Sequence, residues 1–185
     1  MKKITRKQDE EKVPIYLSHD VDFDRRLVWF NGDVDQWQVA ETIKCIELML
    51  KKSKDPITIR VSSFGGDPYT ALAFYDYIRA LEDVPIKTEC FGMAMSAGTI
   101  IFLAGDERYM TPNSTLMFHT VSTMSIGKSF EIKTESMECE RLLDRFCTIY
   151  GEETNMSKAK WKRKIKYEDI FIDYLQAIDL GIITI

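Results

Sequence analysis

Ser96 and His119 are the two side chains whose types and placement best suit nucleophilic catalysis. Ser96 is followed at once by Ala97, Gly98 and the apolar run 99–103, a pattern typical of a tight turn that delivers a serine to the first turn of a buried helix. Backbone N–H groups and the positive end of the helix dipole favour a developing oxyanion at such a turn. A serine hydroxyl becomes a strong nucleophile only when a base accepts its proton, and His119 ends the same stretch of chain. The pair therefore predicts acyl transfer through a serine nucleophile.

Simple packing would explain either residue by itself, since a small-residue turn and a satisfied structural histidine are both common. Their joint placement on neighbouring elements is what favours a catalytic pair. A catalytic histidine also needs an acid that orients it. Spacing leaves four candidates for this acid open: Asp106, Asp144, Asp169 and Asp173.

The pattern around Ser96 does not match the nucleophile elbow of the α/β-hydrolases. That elbow requires G-x-S-x-G, and Ala94 stands here at the first glycine. The same fold places its histidine last in the triad, after the acid. No histidine follows His119, so this fold is rejected.

The elements around the pair alternate between strand and helix periods. Apolar β-rich runs predict strands, and apolar residues at helical spacing predict helices. The stretch 62–68 with Gly65-Gly66 is interpreted as a strand-to-helix loop, and 120–128 as an exposed strand or a flexible lip beside the site. The predicted strands are 27–30, 57–61, 86–91, 108–110 and 115–118, and the predicted helices are 35–52, 69–81 and 130–150, the last ended by Gly151. This alternation predicts an α/β fold with a mostly parallel sheet.

Length and composition indicate one domain of ordinary size. The chain has 185 residues, of which 45% are hydrophobic and 29% charged, enough for one hydrophobic core. We expect residues 1–14, which are dense in charge, to form a mobile N-terminal arm, and residues 15–185 to form a single domain. No apolar run approaches the roughly 20 residues of a membrane span, and no signal-peptide core follows the charged start. The expected location is therefore the cytoplasm, without a membrane partner.

Charge and metal-ligand spacing exclude two further classes of function. The net charge of −4 argues against a nucleic-acid partner, which usually requires a basic surface. The basic run 158–166 is interpreted as a solvated helix face near an acidic neighbour. The four cysteines lack C-x-x-C spacing and are expected to be buried free thiols, so that no metal site is predicted. His19, beside Asp20 and Asp22, is expected to be an exposed loop histidine.

Four segments taken in order resemble the Clp peptidase family, the proteolytic subunit of the ATP-dependent Clp protease. They are SSFGG at 62–66, GMAMSAG at 92–98, PNSTLMFH at 112–119, and D-x-F followed by A-x-x-x-G-I-I at 169–183. The resemblance covers nearly the whole chain from about Val13. It implies a crotonase-like fold, built as a repeated β-β-α spiral with a protruding handle helix.

The resemblance also implies a site and an assembly. By position, Ser96 matches the nucleophile, His119 the general base and Asp169 the orienting acid, while the backbone N–H groups of Gly66 and Ala97 match the oxyanion hole. The implied activity is a serine endopeptidase that acts on unfolded polypeptides within a homo-oligomer of heptameric rings, stacked as a tetradecamer through the helix that starts near Phe130. No cofactor is expected, because a separate AAA+ unfoldase would use the ATP and no P-loop G-x-x-x-x-G-K-[ST] is present.

The sequence departs from the family pattern at several positions. The run Thr120-Val121-Ser122-Thr123 stands where the family has glutamine and proline and then a glycine pair. Glu168 replaces an arginine of the family just before the triad aspartate, and Met95 replaces the alanine before the serine. The first two departures lie where the family aligns its substrate and makes a ring-contact ion pair, and together the departures suit an outlying, phage-type member.

Three alternative functions remain open from the residues. The first is a catalytically silent ring or scaffold subunit, although the three triad positions are intact. The second is an acyl-CoA enzyme of the crotonase type, which would have no use for a Ser–His–Asp set. The third is a phage capsid-maturation protease that works without ATP, which differs from a Clp-like peptidase only in its partners.

Overall fold

The computed structural model describes residues 20–184, in which helices and strands alternate as the sequence predicts. The expected arm at 1–14 and His19 lie outside the described residues. The strands are β1 Val21–Asp22, β2 Leu27–Val34, β3 Ile57–Gly66, β4 Ile86–Met95, β5 Glu107–Met110, β6 Thr115–Phe118 and β7 Ile170–Ile172. The helices are α1 Gln36–Leu50, α2 Pro68–Arg79, α3 Ala97–Leu103, α4 Ser129–Glu152, α5 Lys158–Lys164 and α6 Tyr174–Asp179. The predicted α/β class is confirmed.

The seven strands form one sheet in the order β1-β2-β3-β4-β6-β7, with β5 paired to β4 off this path. Strands β2, β3, β4, β5 and β6 pair in parallel, whereas β1 and β7 pair antiparallel to their neighbours. The long strand β4 pairs with β5 along its first half and with β6 along its second half. Since the ends of parallel strands meet at one edge of a sheet, residues that follow β4 and β6 are brought together there.

Strands β3 and β4 run further than the sequence predicts. Gly65 and Gly66 pair with Asp33 and Val34 of β2, so that the expected loop at 62–66 is part of β3. The predicted strand 27–30 is followed by Asn31-Gly32-Asp33, a sequence typical of a turn. In the structure this stretch is instead a register shift within β2, where Gly32 has a φ of 100°. A bulge of this kind needs the same small and polar residues as a turn, which is why the pattern misled.

Side-chain caps begin the two helices that flank the central strands. Asp35 accepts a hydrogen bond from the N–H of Gln38 at 2.7 Å and starts α1, while Asp67 accepts from the N–H of Thr70 at 2.7 Å and starts α2. Each carboxylate satisfies a backbone donor that has no partner within the helix. The bend from the end of β3 into α2 is therefore fixed directly beyond the glycine pair.

Helix α3 is buried along its whole length, and large side chains fill the space around it. Fully buried members of this core include Phe30, Phe74, Phe102, Phe118, Tyr150 and Trp161. Burial of each such side chain contributes about 1.5–3 kcal/mol of transfer free energy. The turn that precedes α3 is thus held by a rigid core.

Helix α4 is buried only in its C-terminal half, at Leu142, Phe146, Cys147, Ile149 and Tyr150. Residues 129–137 are all exposed, as the polar N-terminal half of the sequence predicts. The helix continues past Gly151, where the sequence predicts its end. A Cβ on Gly151 would lie 2.6 Å from the backbone nitrogen of Lys158, so this glycine serves the close approach of α5 rather than a helix end.

The basic helix α5 lies against acidic residues, as expected. Lys158 and Lys162 contact the carboxylate of Asp144 on α4 at 2.7 and 3.0 Å. Hydrogen bonds from Lys158 and then Lys162 lower the pKa of Asp144. Part of the positive charge of α5 is therefore neutralised within the fold.

Candidate active site

Ser96 lies in a strained turn between the end of β4 and the start of α3. Its φ is 52° and its ψ is −126°, a region that costs a non-glycine residue about 1–3 kcal/mol. Two backbone hydrogen bonds hold the turn: the N–H of Ser96 donates to the carbonyl of Met117 at 2.8 Å, and the N–H of Thr99 donates to the carbonyl of Ser96 at 2.9 Å. Strain of this kind persists where the surroundings over-determine a conformation, and it is frequent at active sites.

His119 follows β6 directly and reaches Ser96 across the sheet edge. The parallel register pairs Met95 with Met117, which places the residues after both strands at the same edge. The distance between His119 Nε2 and Ser96 Oγ is 2.6 Å, and both residues are partly buried. A ring nitrogen at this distance can accept the hydroxyl proton, as a general base requires. The structure thus brings together the two residues that the sequence singles out.

Gly65 packs tightly against this turn, and Gly66 packs tightly against β2. A Cβ on Gly65, whose φ is 107°, would lie 2.7 Å from Ser96 Cβ and 3.2 Å from the backbone nitrogen of Ala97. A Cβ on Gly66 would collide with the carbonyl of Val34. The N–H of Gly65 donates to Ser63 Oγ at 3.1 Å. Glycine at 65 therefore allows the backbone of β3 to approach Ser96 closely, and glycine at 66 allows it to approach Val34 of β2.

Three of the four aspartates that spacing left open make hydrogen bonds elsewhere. Asp106 accepts from the backbone N–H of Ile86 at 2.9 Å. Asp144 accepts from the ammonium group of Lys158 at 2.7 Å. Asp173 caps α6 and accepts from a backbone N–H of its first turn at 2.9 Å. Each of these carboxylates has a structural role away from the histidine.

Asp169 lies next to His119 in the backbone, but in the described part of the chain their side chains are not hydrogen-bonded to each other. The antiparallel pair of β6 and β7 matches Phe118 with Ile170, so that His119 and Asp169 are the next residues along the two chains. Asp169 is exposed, and within residues 20–184 no hydrogen bond or ion pair joins it to His119. The structure therefore brings the serine and histidine together and leaves the aspartate beside them. Its role stays a prediction.

The segment 120–128 beside the site is neither helix nor strand. An exposed strand was one of two expectations for it, and that expectation is wrong. Met124 and Ile126 are among the exposed large hydrophobic residues. The alternative expectation of a flexible lip stays a prediction.

Thr99 is a residue near the site that sequence reasoning missed. Its hydroxyl donates to the carbonyl of Ser96 at 2.6 Å and lies 3.0 Å from the hydroxyl of Tyr150. The available signal was a polar side chain within the otherwise apolar run that follows Ser96. The apolar run as a whole predicts only a core helix.

Among residues 20–184, no group of three or more His, Cys, Asp or Glu side chains is placed to hold a metal ion. Each helix within that range falls short of the length or the apolar character that crossing a bilayer requires. The four cysteines are free, and Cys45, Cys90 and Cys147 are buried; burial raises the pKa of the Cys90 thiol to about 12.

Comparisons with known proteins agree with one another. The family model described as Clp protease matches residues 10–185. A relative from Deinococcus radiodurans, the ATP-dependent Clp protease proteolytic subunit, is 32% identical over 163 residues, which cover 85% of this chain and 78% of the relative. The solved structure of a ClpP1 mutant from Listeria monocytogenes matches with a TM-score of 0.79 at 28% identity, covering 87% of this chain and 90% of that chain. The structural likeness confirms the fold class expected from the resemblance.

Proposed function

The chain belongs to the Clp protease family, and from that premise we propose that it is a serine endopeptidase that works through an acyl-enzyme on Ser96. The observation that carries the proposal is the 2.6 Å contact between His119 Nε2 and Ser96 Oγ. The strained backbone of Ser96 supports it, because strain at a nucleophile turn is characteristic of active sites.

In the proposed reaction, His119 accepts the proton of Ser96 Oγ as the oxygen attacks the carbonyl carbon of the scissile peptide bond. The carbonyl oxygen becomes an oxyanion, which the N–H groups of Gly66 and Ala97 would bind. The tetrahedral intermediate collapses, the C–N bond breaks, and His119 returns its proton to the leaving amine. A water molecule then attacks the ester, and the same steps in reverse order release the acid and restore Ser96.

Asp169 is the proposed orienting acid. Its exposed side chain can rotate toward His119, which lies opposite it in the β6–β7 register. A carboxylate in that position would accept the Nδ1 proton, fix the tautomer that leaves Nε2 free to act as base, and stabilise the imidazolium. Because the other three candidate aspartates have partners elsewhere, Asp169 is the one best placed for this role.

The proposed substrates are unfolded polypeptides that enter a chamber formed by copies of this chain. The Deinococcus relative is named as a proteolytic subunit of an ATP-dependent protease, and we extend that role to this chain. Heptameric rings would stack through the exposed N-terminal half of α4, where Phe130 and Met137 are exposed. A separate AAA+ unfoldase would use ATP to deliver substrate, so the peptidase itself needs no cofactor.

A catalytically silent ring or scaffold subunit is the second candidate function. The observation that favours it is that, within residues 20–184, no hydrogen bond joins Asp169 to His119, because an unoriented histidine is a poor base. The two candidates differ in whether Ser96 reacts.

Labelling with a fluorophosphonate probe tests the proposal, and light scattering after size exclusion gives the particle size of the same sample. We expect the wild type to be labelled as a multi-subunit particle, and Ser96→Ala to form the same particle without label. Ser157→Ala is the matched control, since Ser157 is exposed and makes no capping hydrogen bond with its side chain; it should label like the wild type. A large particle in which wild-type Ser96 stays unlabelled would establish the silent subunit instead.

A further inference from the structure

The carbonyl oxygen of Ser96 accepts two hydrogen bonds from a single residue. The N–H of Thr99 donates to it at 2.9 Å, and the Thr99 hydroxyl donates to it at 2.6 Å. The first of these bonds is expected where a helix begins. The second is not required by the helix, and it adds a donor to a peptide group that belongs to the strained turn.

The direction of the next hydrogen bond follows from the number of protons. The Thr99 hydroxyl has one proton, and the Ser96 carbonyl can only accept. The 3.0 Å contact between Thr99 Oγ1 and the Tyr150 hydroxyl must therefore have Tyr150 as its donor. The result is a directed chain from Tyr150 through Thr99 to the carbonyl of Ser96.

Tyr150 is a permanent donor in this chain. It is completely buried, and burial raises the pKa of its phenol well above the ordinary value. Phe118 and Trp161 pack against its ring, with centroids 4.9 and 5.4 Å away. The hydroxyl is thus fixed in place and stays protonated over the whole range of pH in which the protein could work.

The carbonyl of Ser96 and the N–H of Ala97 belong to one planar peptide group, and that N–H is one of the two proposed oxyanion donors. We infer that Tyr150 and Thr99 are positioning residues that lock this peptide group and polarise it, so that the Ala97 N–H is aimed at the oxyanion and donates more strongly. The inference rests on the proposed function.

Two physical effects support this role. Rotation of the peptide group would relieve the strain at Ser96, but it would also break both hydrogen bonds to the carbonyl. Hydrogen bonds in a chain also strengthen one another, by about 10–30% per bond in condensed-phase estimates. An amide whose carbonyl accepts two bonds is therefore both fixed in orientation and a better N–H donor. This matters most in the transition state, when charge develops on the substrate oxygen.

The competing explanation is that Thr99 and Tyr150 merely satisfy each other as buried polar groups. Single and double variants separate the two explanations. Mutual satisfaction of the two hydroxyls affects only stability, whereas the relay also affects the rate of catalysis. Thr99→Val removes the relay but leaves the Tyr150 hydroxyl buried without a partner, which is destabilising. The double variant Thr99→Val/Tyr150→Phe removes both hydroxyls, so it should recover most of the stability that Thr99→Val loses.

The experiment measures kcat and KM with a chromogenic peptide ester and the thermal unfolding midpoint of the same samples, with active sites counted by the fluorophosphonate probe. We expect Thr99→Val and the double variant to lower kcat about tenfold with nearly unchanged KM, less than the roughly 100-fold or greater loss seen when an oxyanion donor is removed outright. Tyr150→Phe should lower kcat about threefold, in keeping with a bond one step further from the carbonyl. Thr99→Ser keeps a hydroxyl at this position and should retain most of the wild-type kcat.

The decisive comparison is the double variant, which should regain stability without regaining rate. A double variant that is as fast as the wild type would overturn the relay and leave only mutual satisfaction of two hydroxyls. A wild-type protein that hydrolyses nothing and refuses the probe contradicts the proposed function, and the relay with it. The two failures are thus distinguished by the wild type alone.

Discussion

Gly65 lies directly against Ser96, so closely that a Cβ on Gly65 would be 2.7 Å from the Cβ of Ser96 and 2.8 Å from the carbonyl of Met95. The glycine has a φ of 107° and is the penultimate residue of β3, which pairs with β2 and β4. The tight approach joins the glycine pair to the nucleophile turn. It gives a structural reason for glycine at this position that is independent of any family pattern.

Gly65→Ala should abolish labelling of Ser96, because the new methyl group must displace the turn that carries the hydroxyl. Gly32→Ala is the matched control: Gly32 has a similar φ of 100°, but a Cβ there would meet nothing within 4 Å. Both variants carry the strain of a positive φ, about 1–3 kcal/mol, and only Gly65→Ala adds the collision. Equal probe labelling of the two variants would show that the contact with Ser96 is unimportant.

Asp169→Asn should lower kcat by about 1,000- to 10,000-fold, which is the loss expected when a catalytic histidine no longer has a carboxylate to fix its tautomer. Asp173→Asn is the control, since asparagine also caps helices well and Asp173 acts as a cap. Hydrolysis of a peptide substrate measures both. If Asp169→Asn retained full activity, the acid would have to be sought on another residue or in another copy of the chain.

The antiparallel strands β1 and β7, of two and three residues, are too short to show a period and were not predicted. The order of the parallel strands and of the helices between them could be predicted from the sequence, because hydrophobic periodicity reports burial directly. Their ends could not, since the polar and small residues at 62–66 look like a loop until the partner strand is known. Gly65 and Gly66 belong to β3 because Asp33 and Val34 are available to pair with them. That pairing depends on the tertiary structure, which local sequence patterns do not report.

The serine and histidine of the candidate site were predictable, because each follows a strand that its hydrophobic pattern identifies. The acid was not predictable from spacing, because spacing does not show which aspartates have other partners. Asp106, for example, accepts a hydrogen bond from the backbone N–H of Ile86, the first residue of β4. Only the resemblance to a family singles out Asp169.

Arg108 and Glu153 form a largely buried ion pair, with 2.9 Å between Nη1 and Oε2. The guanidinium also donates to the carbonyls of Gly105 and Ile182, so that it ties the C-terminal segment to α4. Arg108→Met should destabilise the protein by about 3–5 kcal/mol, since it leaves a buried carboxylate without its cation.

Denaturant unfolding checks this prediction, with two comparisons. Arg79→Ala breaks the half-exposed pair with Asp106 and should cost less than about 1 kcal/mol. The double variant Arg108→Met/Glu153→Gln should recover part of the loss, because the uncompensated charge is gone. If Arg108→Met lowered the free energy of unfolding no more than Arg79→Ala does, the structural role of the buried pair would be contradicted.

The contact between Tyr69 on α2 and Glu138 on α4 should make the attachment of α4 dependent on pH. Tyr69 donates to Glu138 Oε1 at 2.7 Å. Hydrogen bonds from Arg141 and then Tyr69 lower the pKa of Glu138 from 4.5 to about 2. A carboxylate whose pKa is lower in the folded state than in the unfolded state stabilises the fold at pH values above the unfolded pKa. This stabilisation declines as the pH falls from 4.5 toward 2.

The thermal unfolding midpoints of the wild type and Glu138→Gln test that linkage. The wild type should unfold at the higher temperature at pH 6, and the difference between the two proteins should shrink as the pH falls from 5 to 3. High salt should also reduce the difference, because the Glu138 side chain is partly exposed to solvent. A difference that is constant across this range would show that Glu138 contributes through its shape alone.

The most direct test of the account is to trap the acyl group on the protein. The wild type would be mixed with excess chromogenic peptide ester, the release of the first product followed for a burst, and the reaction quenched with acid for intact-mass and peptide mass spectrometry. The account predicts a burst of one product per active chain and an added acyl mass on the peptide that contains Ser96, with neither in Ser96→Ala. Hydrolysis without a burst or added mass at Ser96, or an acyl mass on another residue, would contradict it.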